Sequence, residues 1–526
     1  MHTGNARATR GKAAGGAGDG GGRLPARPRP SLGAPGFPER AVSPAAPRAS
    51  DAGRGGSPGA PAKPSPTRRS TPPPVSPARR CAYRVIRRVF EQGAYADRAL
   101  HATAAGLASR ERAQATRLAY GAVQRRGTVD HLVGRLTSRP LQRLDAPVLA
   151  ALRLGGYELL FSGGAAPHAA VNEAVTLSGS DSSHGSGLVN AVLRRLAREG
   201  GAMLAELGDG TPEQAAVAHS LPVWLARMWW QELGADEARA LLGRVNEPAE
   251  SALRANTLLL DAGTLAQRLP VACRLAPELA EAVVVEEPFD AHGSALWREG
   301  AFMPQSRGSM LAARALAPRP GERVLDLCAA PGAKTTHLAA LMEDLGSITA
   351  VERHPARAGG LARTCERMGA TAVEVHVADA GAFRGAGFDR VLVDPPCSGL
   401  GTLQSRPDLR WRASPERIDA LAAEQARILA AASEAVRPGG TIVYSTCTLA
   451  AAENERQLER FLAVDRRFSV LATGSDLPAW HHPHVAGALL ALPHRHGTDG
   501  FFVVRLERAR SPAPPRSRNR PTATGR

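Results

Sequence analysis

The sequence has little cysteine and few aromatic residues for its length. Six cysteines in 526 residues are too few for a disulfide scaffold, and no two of them have the Cys-x-x-Cys spacing of structural zinc sites. No apolar run reaches the roughly 18 residues that a membrane-spanning helix needs. No charged start followed by an apolar block marks a secretory signal. These absences favour a protein of the reducing cytoplasm. Free thiols remain nucleophilic in such a compartment.

Acidic residues are scarce at both ends of the chain, which accounts for nearly all of its net charge of +17. Residues 1–80 hold 14 Lys and Arg against 3 Asp and Glu, and residues 507–526 hold 6 against 1. Basic tails are typical of proteins that bind a polyanion such as nucleic acid, although a solvated low-complexity extension has the same composition. An Arg-rich start also fits an organellar transit peptide, but its many Pro and Gly residues argue against an amphipathic helix.

Composition and periodicity divide the chain into five parts. Residues 1–79 and 509–526 are rich in Pro, Gly, Ser and Arg, and we predict that both are disordered. Residues 80–205 predict an all-α domain, and residues 206–300 predict further helices followed by a small α+β unit. In residues 301–508 strands alternate with helices, which predicts a doubly wound, mostly parallel sheet. The predicted strands are Arg323–Leu327, Ser347–Val351, Ala372–Val377, Arg390–Val393, Thr441–Ser445 and Phe501–Leu506.

Paired arginines are the feature of the predicted helical domain that bears on function. Such pairs can bind phosphates, but the solvated faces of ordinary helices carry similar pairs. The pair Arg125-Arg126 lies inside a long segment whose apolar residues have helical spacing, which predicts a single helix over Arg112–Leu136. The pairs are Arg87-Arg88, Arg125-Arg126 and Arg194-Arg195.

Small residues and acids follow the predicted strands of the last part. The turn Cys328–Ala333 lies between a strand and a helix, and its small side chains allow a ligand to approach the backbone. It lacks the spacing of a phosphate-binding loop. Glu352, Asp379 and Asp394 come after the next three strands, where an acid commonly accepts hydrogen bonds from ribose hydroxyls. Three such acids favour an unphosphorylated nucleoside, and we predict S-adenosylmethionine rather than a dinucleotide.

Two cysteines follow strongly apolar strands. Cys397 lies in Asp394-Pro395-Pro396-Cys397, and Cys447 lies in Ser445-Thr446-Cys447. Because the carboxyl ends of parallel strands line one crevice, both thiols are expected to face the same pocket. This arrangement suits covalent chemistry on a ring carbon, in which one thiol attacks and a second group helps to release the adduct. Packing in the core is the commoner fate of a free cysteine, and we assign it to Cys81, Cys273 and Cys365.

Together these motifs resemble the RNA cytosine-5 methyltransferase family. The helical domain resembles the NusB fold, and the combination is similar to the bacterial enzymes that modify 16S ribosomal RNA. The resemblance covers about residues 80–508 and implies a Rossmann-like, S-adenosylmethionine-dependent methyltransferase domain. This domain follows an all-α NusB-like domain and a small α+β linker unit. The motifs that carry the resemblance are Arg254–Leu258, Leu325–Thr335, Asp394–Gly401, Arg406–Trp411, Tyr444–Asn454 and Asp499–Val503.

The resemblance implies a role for each residue of the site. Cys447 is the nucleophile that attacks C6 of cytosine, and Cys397 assists release of the product. Asp394 is expected to hydrogen-bond the edge of the base, with Lys334 placing Asp394 or the base itself. Contacts to the cofactor are carried over to Cys328, Ala329, Ala330, Pro331, Gly332, Ala333, Lys334, Glu352, Asp379 and Asp394.

Three positions depart from the family pattern. Ala333 replaces the usual second glycine of the turn, Glu352 stands where Asp is commoner, and Ser306 stands where an acid is usual. None of these departures removes a catalytic group, so we expect an active enzyme.

The expected partner is 16S ribosomal RNA, free or in an early-assembling small subunit, and we expect a monomer with no membrane attachment and no metal. Two alternatives remain open: the same chemistry on transfer RNA, and an RNA-binding adaptor with a silent methyltransferase domain. A group of histidines near the end of the chain matches no familiar metal site. Its members are His481, His482, His484, His494 and His496.

Overall fold

A computed structural model of the chain describes residues 75–164, 166–182 and 184–510. Most of the two predicted basic tails therefore lies outside the described residues. Helix α1 begins at Pro77, before the boundary predicted at residue 80, because Ser76 accepts a hydrogen bond from the Arg79 N–H and proline suits a first turn. None of the described helices is both long and apolar enough to cross a bilayer.

Seven helices form the first part and pack around a single core of small and aliphatic side chains. The prediction of one helix over Arg112–Leu136 is wrong, because the chain leaves helical geometry at Arg125, where φ is −90° and ψ is 9°. Apolar residues keep helical spacing across this break, so the sequence pattern does not reveal it. The helices are α1 (Pro77–Glu91), α2 (Ala96–Thr103), α3 (Ser109–Gln124), α4 (Arg126–Leu136), α5 (Ala146–Phe161), α6 (Pro167–Asp181) and α7 (Ser186–Ala205).

The second part consists of three helices followed by an antiparallel sheet with the strand order β2-β3-β1-β4, and two short helices lie in the connections between its strands. The segment Phe302–Pro304 was predicted to open the catalytic domain, but it is strand β4 and pairs with β1. Phe302 is fully buried in the core of this small unit, which explains the assignment. The elements are α8 (Pro212–Ala218), α9 (Val223–Leu233), α10 (Ala235–Arg244), β1 (Ser251–Ala255), α11 (Ala262–Arg268), β2 (Cys273–Leu275), β3 (Ala282–Val285), α12 (Ala295–Arg298) and β4 (Phe302–Pro304).

The third part is an eight-stranded sheet with helices on both faces, which confirms the predicted fold class. Five strands are parallel in the order β9-β8-β5-β6-β7, and β12 extends the sheet antiparallel to β9 and pairs with β10 and β11. The elements are α13 (Arg307–Leu316), β5 (Arg323–Asp326), α14 (Ala333–Leu341), β6 (Ser347–Glu352), α15 (Pro355–Met368), β7 (Val373–Val377), β8 (Phe388–Val393), α16 (Leu409–Arg412), α17 (Pro415–Ala435), β9 (Val436–Thr446), α18 (Glu455–Val464), β10 (Phe468–Val470), β11 (Leu489–Ala491), α19 (Pro493–His496) and β12 (Phe501–Arg508).

The side chain of Arg410 in α16 joins the catalytic domain to the helices in front of it. It is fully buried, and its guanidinium donates to Asn246 Oδ1 at 2.8 Å and to the carbonyl oxygens of Ser220, Val245 and Leu403, each at 3.2 Å. Burial lowers the pKa of Arg410 to about 9. The hydrogen bonds satisfy acceptors that would otherwise be buried without partners.

The neighbours of Arg410 in α16 contact the helical domain directly. Trp411 Nε1 donates to the Val123 carbonyl at 2.7 Å, and the Arg126 guanidinium lies 5.0 Å from the Trp411 ring centroid. Arg412 donates to the Gly93 carbonyl at 2.6 Å. The motif Arg406–Trp411 therefore positions the helical domain against the catalytic domain.

Replacing Arg410 with Met should destabilise the protein by roughly 3 kcal/mol, because several buried carbonyl oxygens lose a charged donor at once. Urea unfolding of the full chain measures this loss. Arg466→Met is the matched control, since Arg466 is exposed. Equal stability of the two variants would contradict the role given to Arg410.

Candidate active site

A cavity of about 500 Å³ opens at the carboxyl ends of the parallel strands. It lies where β5, β6, β8 and β9 end, so the sheet brings together side chains that are far apart in the sequence. The predicted residues Ala329, Gly332, Ala333 and Lys334 do not line it. The predicted site residues that line the cavity are Cys328, Ala330, Pro331, Glu352, Asp379, Asp394, Cys397 and Cys447.

The two thiols meet at one end of this cavity, with their Sγ atoms 3.3 Å apart. Strands β8 and β9 are parallel neighbours, so the loops that follow them leave the sheet side by side. The Gly401 N–H donates to the Cys447 carbonyl at 2.9 Å. A Cβ atom on Gly401 would lie 2.2 Å from the Gly500 carbonyl oxygen, so only glycine permits this approach.

A buried carboxylate, Glu453, holds the loop that carries Cys397. Glu453 accepts hydrogen bonds from the Ser398 N–H at 2.9 Å and from Gln425 Nε2 at 2.8 Å. Gln425 also donates to the Pro396 carbonyl at 3.0 Å, so the loop is bound on both sides of the thiol. Burial raises the pKa of Glu453. Glu453 lies in the motif Tyr444–Asn454, but nothing in the sequence around it predicts this role.

Lys334 and Asp394 form an ion pair beside the thiols. Lys334 Nζ lies 2.8 Å from Asp394 Oδ2, and Ser445 Oγ donates to Asp394 Oδ1 at 2.9 Å. Burial opposes the charge of Lys334, but the Asp394 carboxylate outweighs this effect and the pKa of Lys334 rises. The site therefore holds a fixed cation and a fixed anion next to two sulfur atoms.

The two thiols titrate as a pair, and we assign the shared proton to Cys397. A hydrogen bond from Cys397 lowers the pKa of Cys447. With the charges of Lys334 and Arg406 it outweighs burial and the Asp394 carboxylate, which both act to raise that pKa. The pKa of Cys397 is raised well above its usual range by that hydrogen bond and by burial. Cys447 is therefore the thiol of the pair that loses its proton more readily, and the thiolate is the form of cysteine that attacks carbon.

A hydrogen bond to Asp326 holds the turn that follows β5. Asp326 accepts a hydrogen bond from Thr335 Oγ1 at 2.8 Å, and burial raises the pKa of Asp326 to about 6. Gly332 has a φ of +104°, which favours glycine, and α14 begins at the next residue. Ala333 is that first helical residue, so an alanine fits where the family has a second glycine. Burial raises the pKa of Cys328 well above its usual range, and its thiol is neutral.

The far end of the cavity suits an unphosphorylated nucleoside. Glu352 lies 3.3 Å from Arg357, and Asp379 lies 2.8 Å from Arg427, whose hydrogen bond lowers the pKa of Asp379. Arg353 in the same wall pairs with a glutamate on α17. The cations near this end are thus already neutralised by acids, which disfavours a pyrophosphate. Small residues and carboxylates that accept hydroxyl donors fit S-adenosylmethionine.

The histidines near the end of the chain do not form one site. His482 lies 2.7 Å from Glu455, and His494 lies 2.6 Å from Glu237. Among residues 75–164, 166–182 and 184–510, no group of three or more His, Cys, Asp and Glu side chains could hold a metal ion.

Residues of the helical domain and of the loop before α16 also line the cavity, although they were not predicted to do so. Tyr95, Asp97 and Arg98 come from the helical domain, at and just before the start of α2, and Arg406 comes from the loop before α16. Arg406 lies inside the motif Arg406–Trp411. Tyr95 carries no local signal, because its place depends on how the helical domain packs against α16.

Two family models match the chain. The model described as 16S rRNA methyltransferase RsmB/F matches residues 313–507, and the NusB family model matches residues 76–198. These matches fall on the catalytic sheet and on the first seven helices.

Named relatives and a solved structure agree with these matches. The chain is 34% identical to the probable ribosomal RNA small subunit methyltransferase B of Synechocystis, over 82% of this chain and 99% of the relative. It is 35% identical to the ribosomal RNA small subunit methyltransferase B of Thermus thermophilus, over 77% and 90%. The crystal structure of PH0851 has a TM-score of 0.71 at 26% identity and covers 83% of this chain and 100% of that one. The chain therefore belongs to the RsmB/F family of S-adenosylmethionine-dependent ribosomal RNA methyltransferases, with a NusB-like domain in front of the catalytic domain.

Proposed function

We propose that this protein methylates C5 of a cytosine in 16S ribosomal RNA through a covalent bond between Cys447 Sγ and C6 of the base. The observation that carries this proposal is the thiol pair, with Sγ atoms 3.3 Å apart and with pKa values shifted in opposite directions. The names of the relatives support the choice of the small-subunit RNA. Family membership makes ribosomal RNA a better candidate than transfer RNA, and the intact thiol pair argues against a silent domain.

The attack step explains why a thiolate is needed. C5 of cytosine is a weak nucleophile, and addition of the Cys447 thiolate to C6 moves an electron pair toward C5. Asp394 accepts a hydrogen bond from the edge of the base and favours protonation of the ring at N3. Ser445 and Lys334 hold Asp394 in place for this contact. When bound, S-adenosylmethionine supplies the methyl group that C5 takes.

The release step explains the second thiol. After methyl transfer C5 carries both a proton and the methyl group, and loss of the proton to a base restores the C5–C6 double bond. The same electron pair expels Cys447 as a thiolate. Cys397 keeps its proton and lies within hydrogen-bond distance of the departing sulfur, so it stabilises the leaving group. The target base must be unstacked for Cys447 to reach C6.

Replacing the two cysteines separates attack from release. With S-adenosylmethionine and radiolabelled 16S RNA transcript, Cys447→Ala should lose methyl transfer by on the order of 10⁴-fold. Cys397→Ala should instead accumulate a covalent protein–RNA complex, seen as a slow band on a denaturing gel. The double variant is the control and should give no band. Turnover by Cys447→Ala, or a band from the double variant, would remove Cys447 as the nucleophile.

The pH dependence of Cys447 alkylation tests the proton assignment. In the wild type, the pH at which Cys447 reacts with iodoacetamide at half its maximal rate should lie below the ordinary cysteine pKa of roughly 8.5. The reaction rate rises with pH because only the thiolate reacts. Cys397→Ala removes the hydrogen-bond donor and should move the midpoint upward, whereas Cys397→Ser keeps an O–H donor and should move it less. Peptide mass spectrometry measures the rate at Cys447, and equal midpoints in all three proteins would contradict the assignment.

A further inference from the structure

A second, smaller cavity lies next to the thiols. Its volume is about 70 Å³, enough for a group of the size of a phosphate but too small for a base. Cys397, Tyr95 and Arg406 line both this space and the larger cavity, so the two cavities adjoin. We call the smaller space the arginine cavity. Its wall consists of Tyr95, Cys397, Ser398, Arg406, Leu409, Arg412, Ala413 and Arg417.

The charged residues that line the arginine cavity are all positive. Three arginines line it, and no Asp or Glu does. Around the nucleoside end of the larger cavity the arginines are ion-paired with acids, as with Arg357 and Glu352 at 3.3 Å. Arg406 and Arg417, by contrast, form no ion pair within the described part of the chain. Unpaired guanidinium groups that converge on a small space are suited to bind a phosphate, whose oxygens accept two donors from each group.

The wall between the two cavities is fixed by the contact of the two domains. The Arg412 guanidinium lies 3.9 Å from the Tyr95 ring centroid and also donates to the Gly93 carbonyl at 2.6 Å. Asp408 accepts a hydrogen bond from the Ala96 N–H. Tyr95 is thus held against α16 by Arg412, which leaves Arg406 and Arg417 as the cations free to bind a ligand.

We propose that the arginine cavity binds an RNA phosphate next to the target nucleotide, through Arg406 and Arg417, with Tyr95 of the helical domain as its wall. The inference rests on the proposed function, because it takes the base to lie beside Cys447 in the larger cavity. A phosphate adjoins the target nucleotide through its sugar, and Cys397 borders both spaces. The helical domain is then part of the active site, since it supplies the wall that separates base from backbone.

Replacement of Arg417 tests this proposal, because its side chain is exposed and makes no described hydrogen bond. Binding of in vitro transcribed 16S RNA is measured by filter binding at several KCl concentrations. Arg417→Gln should weaken binding about tenfold and reduce the slope of log K against log salt by about 0.7, the value for one phosphate of a single strand. Arg417→Lys should recover part of the affinity but not all of it. The affinity for S-adenosylhomocysteine should not change.

Arg466→Gln is the matched control, since it removes the same charge from an exposed site outside both cavities. If Arg417→Gln and Arg466→Gln bind RNA with the same affinity and the same salt slope, the arginine cavity is not a phosphate site. This result does not depend on the chemistry of methyl transfer. A wild-type protein that binds RNA but forms no 5-methylcytosine would overturn the proposed function instead.

Discussion

The buried guanidinium of Arg410 is the interaction on which the arrangement of the domains depends. Its hydrogen bonds end on the linker helices and on the loop before α16 within its own domain. A buried carbonyl oxygen without a donor costs free energy, so these segments are stable together and unfavourable apart. Arg412, two residues further along the chain, contacts the Gly93 carbonyl and the Tyr95 ring of the helical domain. Tyr95 lines the same cavity as Cys397, so packing between the domains contributes to the surroundings of that thiol.

The same dependence extends to the thiols. Cys397 lies on a loop that is bound to Glu453 and Gln425, and Cys447 lies at the end of a strand in the parallel sheet. The two sulfur atoms already lie 3.3 Å apart, and hydrogen bonds hold the loop that carries each of them. Lys334 adds a positive charge whose own partner, Asp394, is also oriented by Ser445. The groups that we propose to be catalytic are therefore held in place by the protein itself, which is the condition for efficient transition-state stabilisation.

Much of this structure could be predicted from sequence, and the failures have physical causes. Strand ends with an acid or a cysteine predicted the crevice correctly, because every parallel strand delivers its last side chain to the same edge. The break at Arg125 was missed because apolar spacing continues through it. The segment of strand β4 was placed in the catalytic domain because a short apolar segment does not reveal which strand it pairs with. Tyr95 and Glu453 were missed because their roles depend on contacts between segments far apart in the chain.

The fate of the C5 hydrogen shows whether C5 of the cytosine is the methylated atom. Transcribed 16S RNA that carries [5-³H]cytidine is incubated with the wild-type protein and methyl-labelled S-adenosylmethionine. Methylation at C5 should release tritium into water in an amount equal to the methyl groups transferred, because the C5 proton must leave for Cys447 to be expelled. Methyl transfer with all tritium retained in the RNA would show that another atom is methylated and would rule out the proposed reaction.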